Sequence, residues 1–258
     1  IWGSDGTSAG GANRIMVTQE LWQQKVVCVI QARLGSTRLP RKTLADLHGY
    51  PIIEHVVQRA RGMRLCDSVM AVVPEGDHEL IDVLQALNVD VVTGSETNVL
   101  ERYVLAAERY NATYVVRVTG DCPFFDPRAG DEVIKLMQQH VDCYYASNNT
   151  LTSGWPDGTD VEVTRRYLLT EALSDPHCTD TDREHVTTWI QRQCLRSSPS
   201  HVRHAHVLTR PTDALSSLKL SIDTQENLDT ARAIWKARPP INYSIEETAE
   251  SFAAGGLL

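Results

Sequence analysis

Apolar and polar residues alternate along this chain in two periods, and the switch between them predicts its elements. The run Val26-Val27-Cys28-Val29-Ile30 is apolar throughout and reads as a buried strand. Residues 51–61 place Ile52, Val56 and Val57 on one helical face, with Pro51 suited to the first turn. A second strand is predicted over 68–73, a helix over 77–87 and a short third strand over 89–92. Residues 99–110 repeat apolar positions at helical spacing, and 114–118 form a fourth strand. Asp126-Pro127 opens a helix that runs through His140, and 142–146 is a fifth strand. Pro156-Asp157-Gly158 is a turn signal, after which 159–163 alternate as a strand. A helix is predicted from Thr181 to about Gln193, with Thr181 and Glu184 as its capping box. Residues 218–222 alternate as a strand and lead into a helix over 224–238, with Asp223 as N-cap and Glu226 completing the box. A short helix over 244–253, capped by Ser244 and Glu247, ends the pattern. Strands alternating with helices at this spacing indicate an α/β fold, a mostly parallel sheet with helices on both faces.

Residues 1–22 show neither period and carry glycines at 3, 6, 10 and 11. They read as a disordered tail, tag or linker, with Met16 a candidate start, or as the join to a fused or associated N-terminal domain. Residues 23–258 read as a single domain. With 258 residues, 42% hydrophobic and 22% charged, the chain can bury a sizeable core. A net charge of −8 argues against general nucleic-acid binding but leaves room for a local basic pocket. No apolar run approaches the roughly 18 residues of a membrane span. The six cysteines contain no C-x-x-C pair and read as reduced thiols of a cytoplasmic protein. His201, His204 and His206 lie where a surface loop and an edge strand are expected, without partners at ligand spacing, so zinc is discounted.

The first strand is followed at once by Arg33, Arg38, Arg41 and Lys42 around Gly35, Ser36 and Pro40. Glycine lets a backbone approach a ligand, successive N–H groups favour anions, and arginine and lysine match phosphate. Neither G-x-G-x-x-G nor G-x-x-x-x-G-K-[ST] is present, so the loop is neither common nucleotide motif. A basic loop is often a solvated surface; one placed directly at a buried strand end points instead to a phosphate cradle. After the fourth strand comes Thr119-Gly120-Asp121-Cys122-Pro123. Asp121 is either a turn residue or a hard oxygen ligand for Mg²⁺ beside a triphosphate. Asp223 carries the same choice between cap and second metal carboxylate. Glu184 has a structural explanation in its box, and His185 is a proton carrier or a helix-end histidine.

The string Gln31-Ala32-Arg33-Leu34-Gly35-Ser36-Thr37-Arg38-Leu39-Pro40, with Lys42 and Leu44, resembles the opening motif of the CTP-dependent sugar cytidylyltransferases. These include the CMP-sugar-acid synthetases and the spore coat polysaccharide biosynthesis branch, in which Gly usually precedes the lysine where this chain has Arg41. The GDCP string at 120–123, PDG-x-DVEV at 156–163, REH at 183–185 and the strand–Asp223–helix string are similar to the family's in the same order. The resemblance covers about residues 26–243. It implies a Rossmann-like fold of the nucleotide-diphospho-sugar transferase (GT-A-like) type, with an arm near 150–165 that dimerises. It implies transfer of CMP from CTP to a sugar or sugar acid with release of pyrophosphate. The same chemistry on a phosphonate or polyol phosphate, or an inactive nucleotide-binding homologue, are the alternatives; a glycosyltransferase reading of Asp180-Thr181-Asp182 ranks low. Under the resemblance, Gln31, Ala32, Arg33, Gly35, Ser36, Arg38, Lys42, Thr119 and Gly120 bind the nucleotide. Arg33, Lys42 and Asp121 are catalytic, and Asp121 and Asp223 hold Mg²⁺. Asp157, Gly158, Asp160, Arg183 and His185 face the acceptor.

Overall fold

The unbroken apolar run after Lys25 becomes an interior strand of the sheet, covered on both faces. The computed structural model describes residues 24–148, 153–195, 204–235, 244–247 and 250. The expected tail, His201 and the far ends of the last two predicted helices lie outside the described residues.

In chain order, β1 (Val26–Gln31) leads through the basic loop into a single 3₁₀ turn (Lys42–Leu44) and a small hairpin, β2 (Asp46–Leu47) and β3 (Tyr50–Pro51). Then follow α1 (Ile52–Gly62), β4 (Ser68–Pro74), α2 (His78–Ala86), β5 (Asp90–Gly94), α3 (Val99–Arg109) and β6 (Tyr114–Thr119). The second half contains α4 (Pro127–Gln139), β7 (Cys143–Ser147), β8 (Glu162–Arg165), α5 (Arg166–Ser174), α6 (Asp180–His185), α7 (Thr188–Leu195), β9 (His204–Val207) and α8 (Gln225–Ile234). The seven strands of the main sheet run in the order β5-β4-β1-β6-β8-β7-β9. β1 is parallel to β4 and β6, and β8 is the antiparallel strand, lying between β6 and β7.

Because side chains alternate across a strand, β1 feeds two cores. Cys28 and Ile30 pack with Val56 of α1, Leu80 of α2 and Ile134 of α4. Val27 and Val29 pack on the other face with Tyr103 of α3, Leu168 of α5 and Trp189 of α7. A third cluster joins α8 to the hairpin, with Ile222, Leu228 and Trp235 against Leu47 and Phe124. Full burial of each such side chain contributes about 1.5–3 kcal/mol.

Five expectations are corrected. The strand expected over 159–163 starts only at Glu162, because β8 is placed by pairing with β6 and β7. The helix expected from Thr181 to Gln193 is two helices. Val186 takes φ 66° and ψ −54°, and the Thr187 N–H donates to the His185 carbonyl at 2.7 Å, a tight turn that breaks the ladder. The capping box is Thr179 with Asp182, not Thr181 with Glu184. Both pairs fit the signature, and the fully buried Asp182, held by Arg192, decides between them. Likewise α8 is capped by Thr224 with Asn227, not by Asp223 with Glu226. Residues 218–222 do not join the sheet; Lys219 makes one isolated bridge with Asp157. The box of Ser244 and Glu247 is present as expected. Of the stretch 150–165, the described part packs within the domain, and its last four residues are β8.

Candidate active site

The carboxyl ends of β1 and β6 lie side by side, and the segments leaving them diverge around a cleft of about 510 Å³. Such a crevice at strand ends is where open α/β sheets bind ligands. Gly120 makes this closeness feasible: a Cβ there would lie 2.9 Å from the Ala32 Cβ and 3.2 Å from the Gln31 carbonyl oxygen. The Gly120 N–H donates to that same carbonyl at 2.8 Å.

The basic loop forms one wall. Its backbone is anchored from outside, by the Asp77 carboxylate accepting from the Leu34 N–H at 2.7 Å and by an ion pair of Arg41 with Glu79. Arg41 adopts φ 58°, the left-handed conformation that glycine takes without strain. Gly35 is not in a positive-φ conformation. The turn at Arg41 aims the next residue, Lys42, inward.

Lys42 Nζ donates to Asp121 Oδ2 at 2.5 Å and to Asp223 Oδ1 at 2.8 Å. The two carboxylate oxygens are therefore no further apart than the sum of those distances, a gap one cation can span. Asp223 also meets Arg38 at 3.0 Å and Lys219 at 3.0 Å. Partial burial disfavours its charge, but hydrogen bonds from Lys42 and Lys219 outweigh that and hold its pKa down at about 2. Burial also opposes the charge on Lys42, and Asp121 and Asp223 more than offset it, so its pKa is raised. The segment carrying Asp223 is pinned to the site by main-chain bonds, Ile222 N–H to the Asp121 carbonyl at 2.9 Å and Leu220 N–H to the Asp157 carbonyl at 2.7 Å.

The floor is a buried polar network. Glu162 accepts from Arg117, from Tyr145 Oη at 2.6 Å and from Thr187 Oγ1 at 2.8 Å. Arg117 also donates to Gln31 Oε1 at 3.3 Å. Burial opposes the Arg117 charge, but Glu162 keeps it protonated, above its usual pKa. Asp160 has the opposite fate: burial, then the charges of Glu162 and Asp157, raise its pKa to about 7. Burial, reinforced by Asp121, drives the Cys122 thiol well above its ordinary value, so it is not a thiolate nucleophile.

The cleft brings together every predicted nucleotide-side residue: Gln31, Ala32, Arg33, Gly35, Ser36, Arg38, Lys42, Thr119 and Gly120, with Asp121 and Asp223. Of the acceptor-side residues it includes Asp160 and His185. Asp157 reaches it indirectly, through Ser221 Oγ at 3.3 Å and Lys219 Nζ at 4.0 Å. Gly158 packs against the Ser221 backbone, and Arg183 lines a neighbouring depression with Glu96 and Thr97. Glu184, freed from capping, pairs with Arg33 at 3.5 Å on the rim. Sequence reasoning missed Lys219, Arg117 and Glu162. The alternating Leu218-Lys219-Leu220 string carried a signal for the first, since the lysine sits four residues before Asp223.

A sequence model of the cytidylyltransferase family matches residues 27–252. The chain is 31% identical over 228 residues to the spore coat polysaccharide biosynthesis protein SpsF of Bacillus subtilis (strain 168), covering 85% of this chain and 91% of that protein. A solved cytidylyltransferase from Leptospira borgpetersenii superposes with a TM-score of 0.80 at 24% identity, over 90% of this chain and 95% of that one. CMP:2-keto-3-deoxy-manno-octonic acid synthetase, solved with CTP, superposes with a TM-score of 0.60 at 20% identity, over 82% of this chain and 98% of that one.

Proposed function

Because this chain belongs to the cytidylyltransferase family, whose members transfer CMP from CTP, we propose that its acceptor is a sugar acid and that the cleft below the basic loop is where transfer occurs. The observation that carries the reading is Lys42 shared between Asp121 and Asp223 at the foot of that loop.

In this reading, an acceptor oxygen attacks the α-phosphorus of CTP. The bond from that phosphorus to the bridging oxygen breaks, and pyrophosphate leaves with the electron pair. Such transfers need positioning and charge neutralisation more than covalent help from the protein. Arg33, Arg38 and the loop backbone at Gly35 and Ser36 hold the triphosphate. Lys42 neutralises charge on the leaving pyrophosphate. Asp160, near half-ionised at neutral pH, accepts the hydroxyl proton of the acceptor. Lys219 offers a cation and His185 an imidazole N–H to the acceptor carboxylate, which favours an acid over a neutral sugar.

Two carboxylates converging on one cation suit Mg²⁺, which takes hard oxygen ligands and is commonly held by one or two carboxylates with substrate phosphates. Asp121 and Asp223 would hold it, and bound there it would polarise the α-phosphate. The reading extends to a cytoplasmic homodimer, with the neighbourhood of residues 150–165 at its interface. Six cysteines without a C-x-x-C pair fit a reducing compartment, and among the described residues no helix is long and apolar enough to cross a membrane.

The test is pyrophosphate release with Mg²⁺ and each common nucleoside triphosphate, against sugar acids, neutral sugars, phosphonates and polyol phosphates. Release with CTP and a sugar acid alone is expected. Release with a phosphonate or polyol phosphate instead would replace the acceptor. Calorimetric CTP binding without release from any acceptor would indicate a nucleotide-binding homologue.

A further inference from the structure

The zinc reading fails in the sequence for want of partners near His204 and His206, and the fold supplies them. β9 runs beside β7 at the sheet edge, with His204 opposite Cys143 and His206 opposite Ala146. The connection entering β7 therefore brings His140 and Asp142 against β9. His140, Asp142 and His206 each place a ligand atom so that all lie within 4.8 Å of one another, the one such group among the described residues. The His140 and His206 rings stack at 4.1 Å between centroids. His204 Nε2 lies 3.4 Å from Asp142 Oδ2, and its ring is 6.4 Å from that of His206. His204 and His206 are two apart on a strand and so share a face.

We propose that His140, Asp142 and His206, with His204 as fourth ligand, form a site for Zn²⁺ that is separate from the nucleotide cleft. Imidazole nitrogen with one carboxylate suits zinc, whereas Mg²⁺ takes an all-oxygen set. Tetrahedral zinc with bonds near 2.0–2.2 Å places its ligand atoms about 3.3 Å apart. The present spread closes to that by side-chain rotation, which is open to His204 and Asp142 because their side chains are 47% and 52% exposed. The site lies at the start of β7, the opposite end of the sheet from the cleft at the carboxyl end of β6. An ion there ties the edge strand to the α4–β7 connection. Edge strands expose unpaired backbone groups, and fixing this one guards it against pairing with other chains.

The experiment titrates Zn²⁺ calorimetrically into metal-stripped full-length protein without CTP, and records Co²⁺ absorption as a probe of coordination. The wild type is compared with H140A/H206A and with D142N, whose surface positions leave the far-UV circular dichroism unchanged. One equivalent of Zn²⁺, a tetrahedral Co²⁺ spectrum and a zinc-dependent rise in Tm are expected. The double variant should lose at least about 100-fold in affinity, beyond the 10–100-fold typical of losing an outer partner. CTP turnover with Mg²⁺ should match wild type in every variant. Zinc binding that survives in H140A/H206A would assign the ion to cysteines or to Asp121 and Asp223 and overturn the proposal. So would the lack of binding by wild type at ~0.1 mM, the weak end of specific affinity.

Discussion

At the scale of single residues, the site is governed by which charges share a partner. Lys42 faces two carboxylates. Lys42→Ala should lower kcat by about 10²–10³, the cost of removing one preorganised charge-stabilising group, in a chain of unchanged circular dichroism. Turnover near wild type would remove Lys42 from the mechanism. Asp160 is the group with a trade-off. Its pKa is raised to about 7, against an unfolded value near 4, so the protonated form favours the fold. The stability it contributes is present at low pH and is lost as pH rises through 7. Asp160→Asn should therefore raise Tm at pH 8 by roughly 2–4 °C for each kcal/mol relieved, while turnover falls. In the wild type, kcat/KM should rise with pH through an apparent pKa near 7, and a flat profile would remove Asp160 as base. Arg41 sits at φ 58° where the spore coat branch usually has glycine. Arg41→Gly should stabilise by about 1 kcal/mol from relieved left-handed strain, less whatever its exposed pair with Glu79 contributed. Arg41→Ala should show no such gain, since alanine keeps the strain.

At the scale of elements, the site depends on segments that are not sheet strands. The turn at 156–158 meets the segment at 219–222 backbone to backbone. A Cβ at Gly158 would fall 2.0 Å from the Ser221 nitrogen, and its φ of 90° is open to glycine alone. Gly158→Ala should shift the segment carrying Lys219 and Asp223. The expected loss is about 2–3 kcal/mol of stability, the sum of strain and displaced packing, with a fall in kcat as large as its rise in KM. Denaturant unfolding and kinetics on one preparation would separate these effects; unchanged values for both would uncouple the turn from the site. The break at Val186 acts in the same way, turning Glu184 and His185 towards the cleft while Thr187 holds Glu162.

At the scale of the whole molecule, two half-cores pack on opposite faces of one sheet, and the candidate site is built on loops at one end of that sheet. The proposed homodimer belongs to this scale. Sedimentation should give about twice the 28.8 kDa chain mass, falling to the chain mass if the interface near 150–165 is removed. A monomer at every concentration would overturn that part of the proposal.

The chain alone determined the alternation of strands and helices and the basic loop at the end of β1, because burial on two faces and glycine–proline punctuation are local signals. Asp121, directly after β6, was equally legible. Only the tertiary structure decided which of two overlapping capping signatures formed, since the buried Asp182 with Arg192 and the Asn227 side chain settle that through packing. That choice left Glu184 and Asp223 free to face the cleft. Arg117 and Glu162 were invisible in sequence because they lie far apart along the chain, and long-range pairing alone makes them neighbours across adjacent strands. The same physics gathers His140, Asp142, His204 and His206 at the sheet edge: spacing in sequence says nothing of distances that a β7–β9 pairing sets.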